Sequence, residues 1–304
     1  MTETPTFTPD DLRLMQGLAQ EVFAIDPALM HGETTVGELA WGYKGHYASA
    51  ADWRHRLWYD GDEVVGWGWI VLGKSAQLVQ LVHPDRPDVL DEIIDWFDAE
   101  SPELPHVTTP ANANKMSLER LAAHGYEVDE EANSDEKAQV LQFNMRSLDD
   151  LEDVPALPAG FRFRTAGEVG PAAVVKAHRD GFQTERYTDQ AYEGVRVTHP
   201  YREDLHILIE APDGTMAASA IMWHDEHNQT AEFEPVSTHP DYRRRHLGKA
   251  LMFHGMHKVR ALGVTRMLVA CAASTKEPAA KGLYESIGFR EFNRDVLHRR
   301  KPSS

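Results

Sequence analysis

A chain of 304 residues, 42% of them apolar and 26% charged, is long enough for two ordinary domains and too apolar to be disordered. No stretch approaches the roughly eighteen uninterrupted apolar residues of a membrane span, the first residues lack the basic and apolar regions of a signal peptide, and one cysteine, Cys271, excludes an intrachain disulfide framework, so a cytoplasmic protein without a membrane partner is expected. The net charge of −17 is uneven: residues 1–150 hold 10 Lys+Arg against 28 Asp+Glu, or −18, and 151–304 hold 21 against 20, or +1. That balance argues against nucleic acid as a partner and would draw cationic ligands to the first half.

Thr8 before Pro9 and two aspartates reads as a helix cap, and Leu12, Met15, Leu18, Val22 and Phe23 follow at helical spacing, so a helix is expected to end near Ile25. A shorter helix is predicted over 36–43. Strands over 53–59 and 63–72 flank the hairpin signal Asp60-Gly61, and another covers 76–82. Val89, Ile93, Ile94 and Phe97 share a helical face within 88–97. A short strand at 107–109, a helix over 112–124 and a closing strand over 137–145 complete a mixed α/β first half. Six of the seven tryptophans (Trp41, Trp53, Trp58, Trp67, Trp69 and Trp96) fall here, as core or as an aromatic wall.

Residues 148–159 are acidic and hold two prolines, a linker composition. Beyond them the pattern predicts a strand at 161–164, helices at 171–182 and 189–197, and strands at 205–210 and 216–223. Next come the strand from Thr230, a loop with Pro235 and Pro240, and a helix starting near Gly248. A strand over 267–271, a helix over 279–287 and a final strand over 289–298 follow. The organisation expected is two mixed α/β domains, 1–147 and 160–304, joined by 148–159, each a mixed central sheet flanked by helices.

The start of the helix near Gly248 leaves backbone N–H groups without intrahelical partners at the positive end of the helix dipole, which suits a phosphate. Arg243, Arg244, Arg245 and Lys249 add cations there, and Gly248 puts no Cβ in the way.

Arg245-His246-Leu247-Gly248-Lys249-Ala250 resembles the Arg/Gln-x-x-Gly-x-Gly/Ala loop of the GNAT superfamily of acyl-CoA-dependent N-acyltransferases. The flanking His-Pro-Asp-Tyr-Arg agrees with it, and Leu283-Tyr284-Glu285-Ser286-Ile287-Gly288-Phe289 is similar to the family's second signature. The resemblance implies acetyl-CoA as cosubstrate, its pyrophosphate held by residues 243–250, and main-chain groups around Val236 and Thr238 binding the thioester and pantetheine. It also implies Glu234 as general base and Tyr284 as general acid. Glu232 faces the same side of the strand as Glu234. One departure is Glu277, where the family often has asparagine seven residues before the tyrosine.

Val82-His83-Pro84-Asp85 and Thr238-His239-Pro240-Asp241 match, as do His124-Gly125-Tyr126 and Ile287-Gly288-Phe289, in the same order in each half. An internal duplication is expected, similar to tandem GNAT proteins. The first half has Leu78 and Leu121 at the places of Glu234 and Tyr284, with carboxylates where pyrophosphate would sit, so it reads as a degenerate copy. The reading is an N-acetyltransferase acting by direct attack of a small, cationic amine. A non-catalytic acyl-CoA sensor is the alternative, needing the arginine loop but neither Glu234 nor Tyr284. Cys271 reads as packed core. The pairs His224/His227 and His254/His257 have metal-compatible spacing without a placed third ligand, and no metal is expected.

Overall fold

The computed structural model describes residues 7–48, 50–134, 140–274 and 278–301. Helix α1 (Pro9–Ile25) starts in a reciprocal capping box between Thr8 and Asp11. Helix α2 (Val36–Ala48) runs longer than its apolar spacing indicated. Strands β1 (Trp53–Asp60), β2 (Glu63–Leu72) and β3 (Ala76–Val82) form an antiparallel meander turning at Gly61, whose φ of 61° suits glycine. Helix α3 (Asp88–Glu100), strand β4 (His106–Thr108), helix α4 (Lys115–Ala123) and the short strand β5 (Glu127–Val128) follow.

Strand β6 (Leu141–Ser147) leads through the proline-containing segment to β7 (Arg162–Thr165), α5 (Ala166–Val169), α6 (Pro171–Phe182), α7 (Asp189–Arg196), β8 (His206–Glu210) and β9 (Met216–Asp225). The chain closes with β10 (Thr230–Thr238), α8 (Leu247–Arg260), β11 (Arg266–Ala272), α9 (Pro278–Ser286), β12 (Arg290–Arg294) and β13 (His298–Arg300).

The fold is mixed α/β with two sheets, ordered β1-β2-β3-β4-β13-β5 and β12-β6-β11-β10-β9-β8-β7. Two expectations change here. The strand assigned to the end of the first half begins at Leu141 and lies in the second sheet, pairing antiparallel with both β11 and β12; the start of the expected span, 137–139, lies outside the described residues. The single final strand is two: β12 stays in the second sheet, and β13 crosses to pair with β4 and β5. Alternation tells which face of a strand is buried, not which strand it pairs with, and both departures are of that kind.

The exchange joins the two halves through shared core. Leu268 of β11 packs in the cluster of α1, α2, β2 and β3, with Met145 and Phe292 against it. Residues 148–159 hold no helix or strand, yet Leu148 is 1% exposed, and Leu151, Val154 and Leu157 pack on the second core. His257 and Arg260 of α8 bond to the carbonyls of Glu152 and Leu148, so this segment is a packed strap along α8.

The duplication extends to individual hydrogen bonds. The Nδ1 atoms of His83 and His239 each accept the amide of the aspartate two residues on, both at 3.2 Å. After α4 and α9 the chain turns through Gly125 (φ 78°) and Gly288 (φ 90°), and the amides of Tyr126 and Phe289 bond back to the carbonyls of Leu121 and Tyr284, both at 3.0 Å. Leu121 thus stands structurally where Tyr284 does.

Candidate active site

The site opens where β10 leaves β11. The two pair in parallel only from Thr230 to Phe233, while β10 stays paired with β9 to Thr238 through a register shift between Phe233 and Val236. The Glu234–Pro235 peptide within that shift is cis. Residues 234–238 therefore form a wall between two sets of cavities.

On one side is a groove of about 780 Å³ lined by Val236, Ser237, Thr238, the loop residues Arg243, Arg244, His246, Leu247, Gly248 and Lys249, and Leu283 and Tyr284 of α9. Arg243 is fixed by donating to the carbonyls of Thr238 (3.2 Å) and Gly181 (3.3 Å). Arg244 and His246 both take left-handed backbone conformations, with φ of 60°, a geometry uncommon outside glycine and concentrated at functional turns. His246 is the N-cap of α8 but contributes no side-chain cap, and the first turn holds no acidic residue. Ala250 is the first amide of α8 to bond back, to the His246 carbonyl at 3.0 Å, so the amides of Leu247, Gly248 and Lys249 have no helical acceptor.

An uncapped helix start ringed by cations fits a pyrophosphate. The equivalent start of α3 carries Asp88 and Asp91, with Arg86 committed to Asp60 and Asp88. Carboxylates already occupy that helix end.

Eight of the ten expected cosubstrate residues line the groove. The other two do not: Arg245 turns to the Tyr242 ring, 5.3 Å from its centroid, and Ala250 is buried inside the helix packing. Gly248 has a packing reason as well as an anion-approach one, because a Cβ there would lie 3.3 Å from Leu283 Cδ2 and 3.5 Å from Thr238 Oγ1.

On the other side of the wall are two cavities of about 410 Å³ each, sharing Trp41, Lys44 and Glu234. The first is lined by Glu33, Glu38, Trp53, Trp69, Leu141 and Cys271, among others. The second is lined by His178, Phe182, Arg186, Tyr187 and Pro235, among others. Two indoles reach the first because α2 presents glycine to them. A Cβ on Gly45 would lie 2.7 Å from Trp53 and one on Gly42 3.3 Å from Trp69.

Glu234 is partly buried, and that burial pushes its carboxyl up to about 7, with Lys44 pulling it back. Burial brings Lys44 down to about 8 against the pull of Glu234, Glu38 and Glu33. Glu38 is raised well above the carboxylate range by burial and by Glu234, Glu232 and Glu33. Here a carboxyl beside bound substrate would exchange a proton near neutral pH.

Glu232 shares the strand face with Glu234 but is covered by α2, accepting from the Thr35 hydroxyl. Tyr284 is 7% exposed and lines the groove; burial first and Glu234 second hold its proton more tightly than in a free phenol. Cys271, expected as core, is buried but forms cavity wall, with the Asn144 amide 3.7 Å from its sulfur and burial pushing its thiol up. His254 stacks on Phe163 at 4.0 Å, and His224 and His227 line a separate cleft with His199 and Arg202. Glu277 lies outside the described residues. Sequence reasoning offered Trp41, Trp53 and Trp69 as core or as an aromatic wall, and all three line the first cavity; it missed Glu33, Glu38, Lys44 and Arg186. The excess of negative charge in the first half was the signal for Glu33 and Glu38; Lys44 and Arg186 had none.

Residues 173–289 match the model of the Acetyltransferase (GNAT) family. Over 312 aligned residues the chain is 26% identical to a mycothiol acetyltransferase of Thermobispora bispora, covering 96% of this chain and 97% of that protein. A tandem GNAT protein from the clavulanic acid biosynthesis pathway has the same fold, with a TM-score of 0.65 at 16% identity over 98% of both chains. A GCN5-related N-acetyltransferase from Sphaerobacter thermophilus superposes with a TM-score of 0.62 at 16% identity, over 98% of this chain and 95% of that one. The family match falls on the half that carries the groove, Glu234 and Tyr284, and the chain as a whole has the fold of a tandem GNAT protein.

Proposed function

We propose that the chain transfers an acetyl group from acetyl-CoA to the amine of a small, cationic acceptor by direct attack, in one site formed by both halves. The observation that carries this is the wall of β10 residues 234–238, with the cation-ringed groove on one side and the carboxylate- and tryptophan-lined cavities on the other. The full-length match to a protein named as an acetyltransferase supports acetyl as the group carried.

Acetyl-CoA supplies an activated acyl carbon as its thioester. In this reading Arg243, Arg244, Lys249 and the first-turn amides of α8 hold the pyrophosphate, and main-chain groups of Val236 and Thr238 align the pantetheine and the thioester carbonyl. Glu234 takes a proton from the acceptor ammonium, which at an ordinary pKa of ~10.4 is otherwise non-nucleophilic at neutral pH. As the C–N bond forms and the C–S bond breaks, the Tyr284 hydroxyl gives its proton to the departing thiolate, the second proton of the acylated nitrogen returns to the Tyr284 oxygen, and Glu234 releases the first to solvent. Proton affinity raised by burial keeps that hydroxyl protonated until a thiolate needs it.

The acceptor is cationic in this reading because, among the described residues lining the first cavity, Glu33, Glu38 and Glu234 face Lys44 as the one cation, and the indoles of Trp41, Trp53 and Trp69 suit an organic cation. Functionally, residues 1–147 are a degenerate GNAT-like copy that supplies the acceptor wall, 148–159 a connecting strap, and 160–304 the cosubstrate-binding domain.

The test is release of coenzyme A thiol by the full chain with cationic, neutral and anionic amines of similar size, at low and high salt. Cationic amines should turn over best, with the advantage shrinking as salt rises. Preference for anionic amines, or binding of acetyl-CoA without turnover of any amine, would overturn this reading.

A further inference from the structure

Lys44 is an unusual ammonium. Its Nζ donates to the Trp41 carbonyl at 2.9 Å and lies 3.7 Å from the centroid of the Trp41 ring, which uses one of its three N–H bonds. Among the described residues, no carboxylate lies within the 4.0 Å of an ion pair with it, although Glu33, Glu38 and Glu234 line a cavity with it. Glu38 is six positions earlier on α2, off the three- or four-residue spacing that would let the two meet. A partly buried ammonium held short of the carboxylates around it gives up solvation without taking a partner in return. Its remaining donors are open to a ligand.

The two cavities that share Lys44 differ in charge. Beyond Glu234 the first offers Glu33 and Glu38, whereas the second offers no other carboxylate among the described residues and adds Arg186, which is exposed and, among them, makes no ion pair. His178, in the second, stays neutral because burial lowers it to about 4, so the positive charge there belongs to Lys44 and Arg186. A polyamine would meet Lys44 with repulsion at the place where it must approach Glu234.

We propose that Lys44 holds an anionic group of the acceptor, with Arg186 beside it, so that the acceptor is amphoteric: an amine that also carries a carboxylate-class anion. This rests on the reading that the acceptor is an amine bound in these cavities. The anion sits on Lys44 at the junction of the cavities, next to the amine at Glu234, and any second ammonium points to Glu33 and Glu38. Lys44 is then a specificity-determining residue that binds the acceptor without taking part in proton transfer.

The experiment uses the full chain with coenzyme A present and follows both tryptophan fluorescence, since three indoles line the first cavity, and coenzyme A release from acetyl-CoA. The probes are lysine, lysinamide and cadaverine, compared between wild type and Lys44→Met, with coenzyme A affinity as the folding control. Lysine should bind at least tenfold more tightly than either probe lacking the carboxylate. Lys44→Met should abolish that preference while leaving coenzyme A affinity unchanged, and Lys44→Arg should restore part of it. Equal or tighter binding of cadaverine or lysinamide, a preference that survives Lys44→Met, or no binding of lysine would overturn the proposal. Turnover of cadaverine without preference for lysine would sink this inference and leave amine acetylation standing; lysine bound through Lys44 but never acetylated would do the reverse.

Discussion

The hydroxyl of Thr35 donates to the buried carboxyl of Glu232, joining the start of α2 to the strand that carries Glu234. The same hydroxyl accepts the Glu38 amide at 3.1 Å, so it caps α2 while bonding across to β10. Gly37 permits this closeness, since a Cβ there would lie 2.8 Å from both Glu232 Oε2 and Trp223 Cδ1. One bond thus sets the position of Glu38, Trp41 and Lys44 relative to the proposed base.

Stability should carry the signature of Glu232. Burial raises its carboxyl to about 8, the Thr35 bond working against this and Glu234 with it. Because the folded value lies above the unfolded one, the folded state binds the proton more tightly, and the contribution is present below about pH 4.5 and lost as pH rises toward 8. Glu232→Gln removes that term, on the order of a few kcal/mol. Melting curves should show wild type losing more Tm between pH 5 and 8.5 than the variant, by about 3 °C or more, while Glu38 and Glu234 keep some dependence in both. Parallel pH profiles would contradict a buried, proton-binding Glu232.

Glu234→Gln should lower kcat/KM by about 100- to 10,000-fold. In wild type kcat/KM should rise with pH through about 7, where Glu234 ionises, and that limb should vanish in the variant. A profile unchanged by the substitution would place the base elsewhere. Tyr284→Phe should slow turnover by about tenfold or more with acetyl-CoA affinity nearly unchanged, and calorimetry beside single-turnover rates separates the two.

Gly248→Val should weaken acyl-CoA binding doubly, by crowding Leu283 and Thr238 and by filling the approach to the first-turn amides of α8. Arg243→Glu should weaken it through charge and by freeing the loop from the Thr238 and Gly181 carbonyls. Titration calorimetry on the full chain should give one site, and at least tenfold weaker binding in each variant. Two equal sites would mean that α3, with Asp88 and Asp91 at its start, also accepts the cosubstrate.

A fragment of residues 151–304 should fail to fold cooperatively, because it lacks β6, which pairs with β11 on one side and β12 on the other. Adding residues 141–150 restores that strand and the Leu148 contact, and should recover a larger share of native circular dichroism. Deleting residues 296–301 should loosen the first sheet at β4 and β5 instead. A well-folded 151–304 fragment would show that β6 is dispensable.

What could be read from the residues alone was local. The capping box at Thr8, the hairpin at Gly61, the loop before α8 and the paired His-Pro-Asp turns are determined within a few positions, because backbone conformation, capping and the helix-end field act over one turn. The cation-ringed start of α8 could be anticipated for that reason, and the matched motifs drew attention to Glu234 and Tyr284, which the fold places beside it. Tertiary structure alone decided the exchange of β6 and β13, the turning away of Arg245, and the meeting of Glu38 and Lys44 with Glu234 nearly two hundred positions later. Strand alternation cannot choose among partners that offer the same apolar face. A carboxylate's proton affinity likewise depends on the surface that packs over it, and here that surface comes from the other half of the chain.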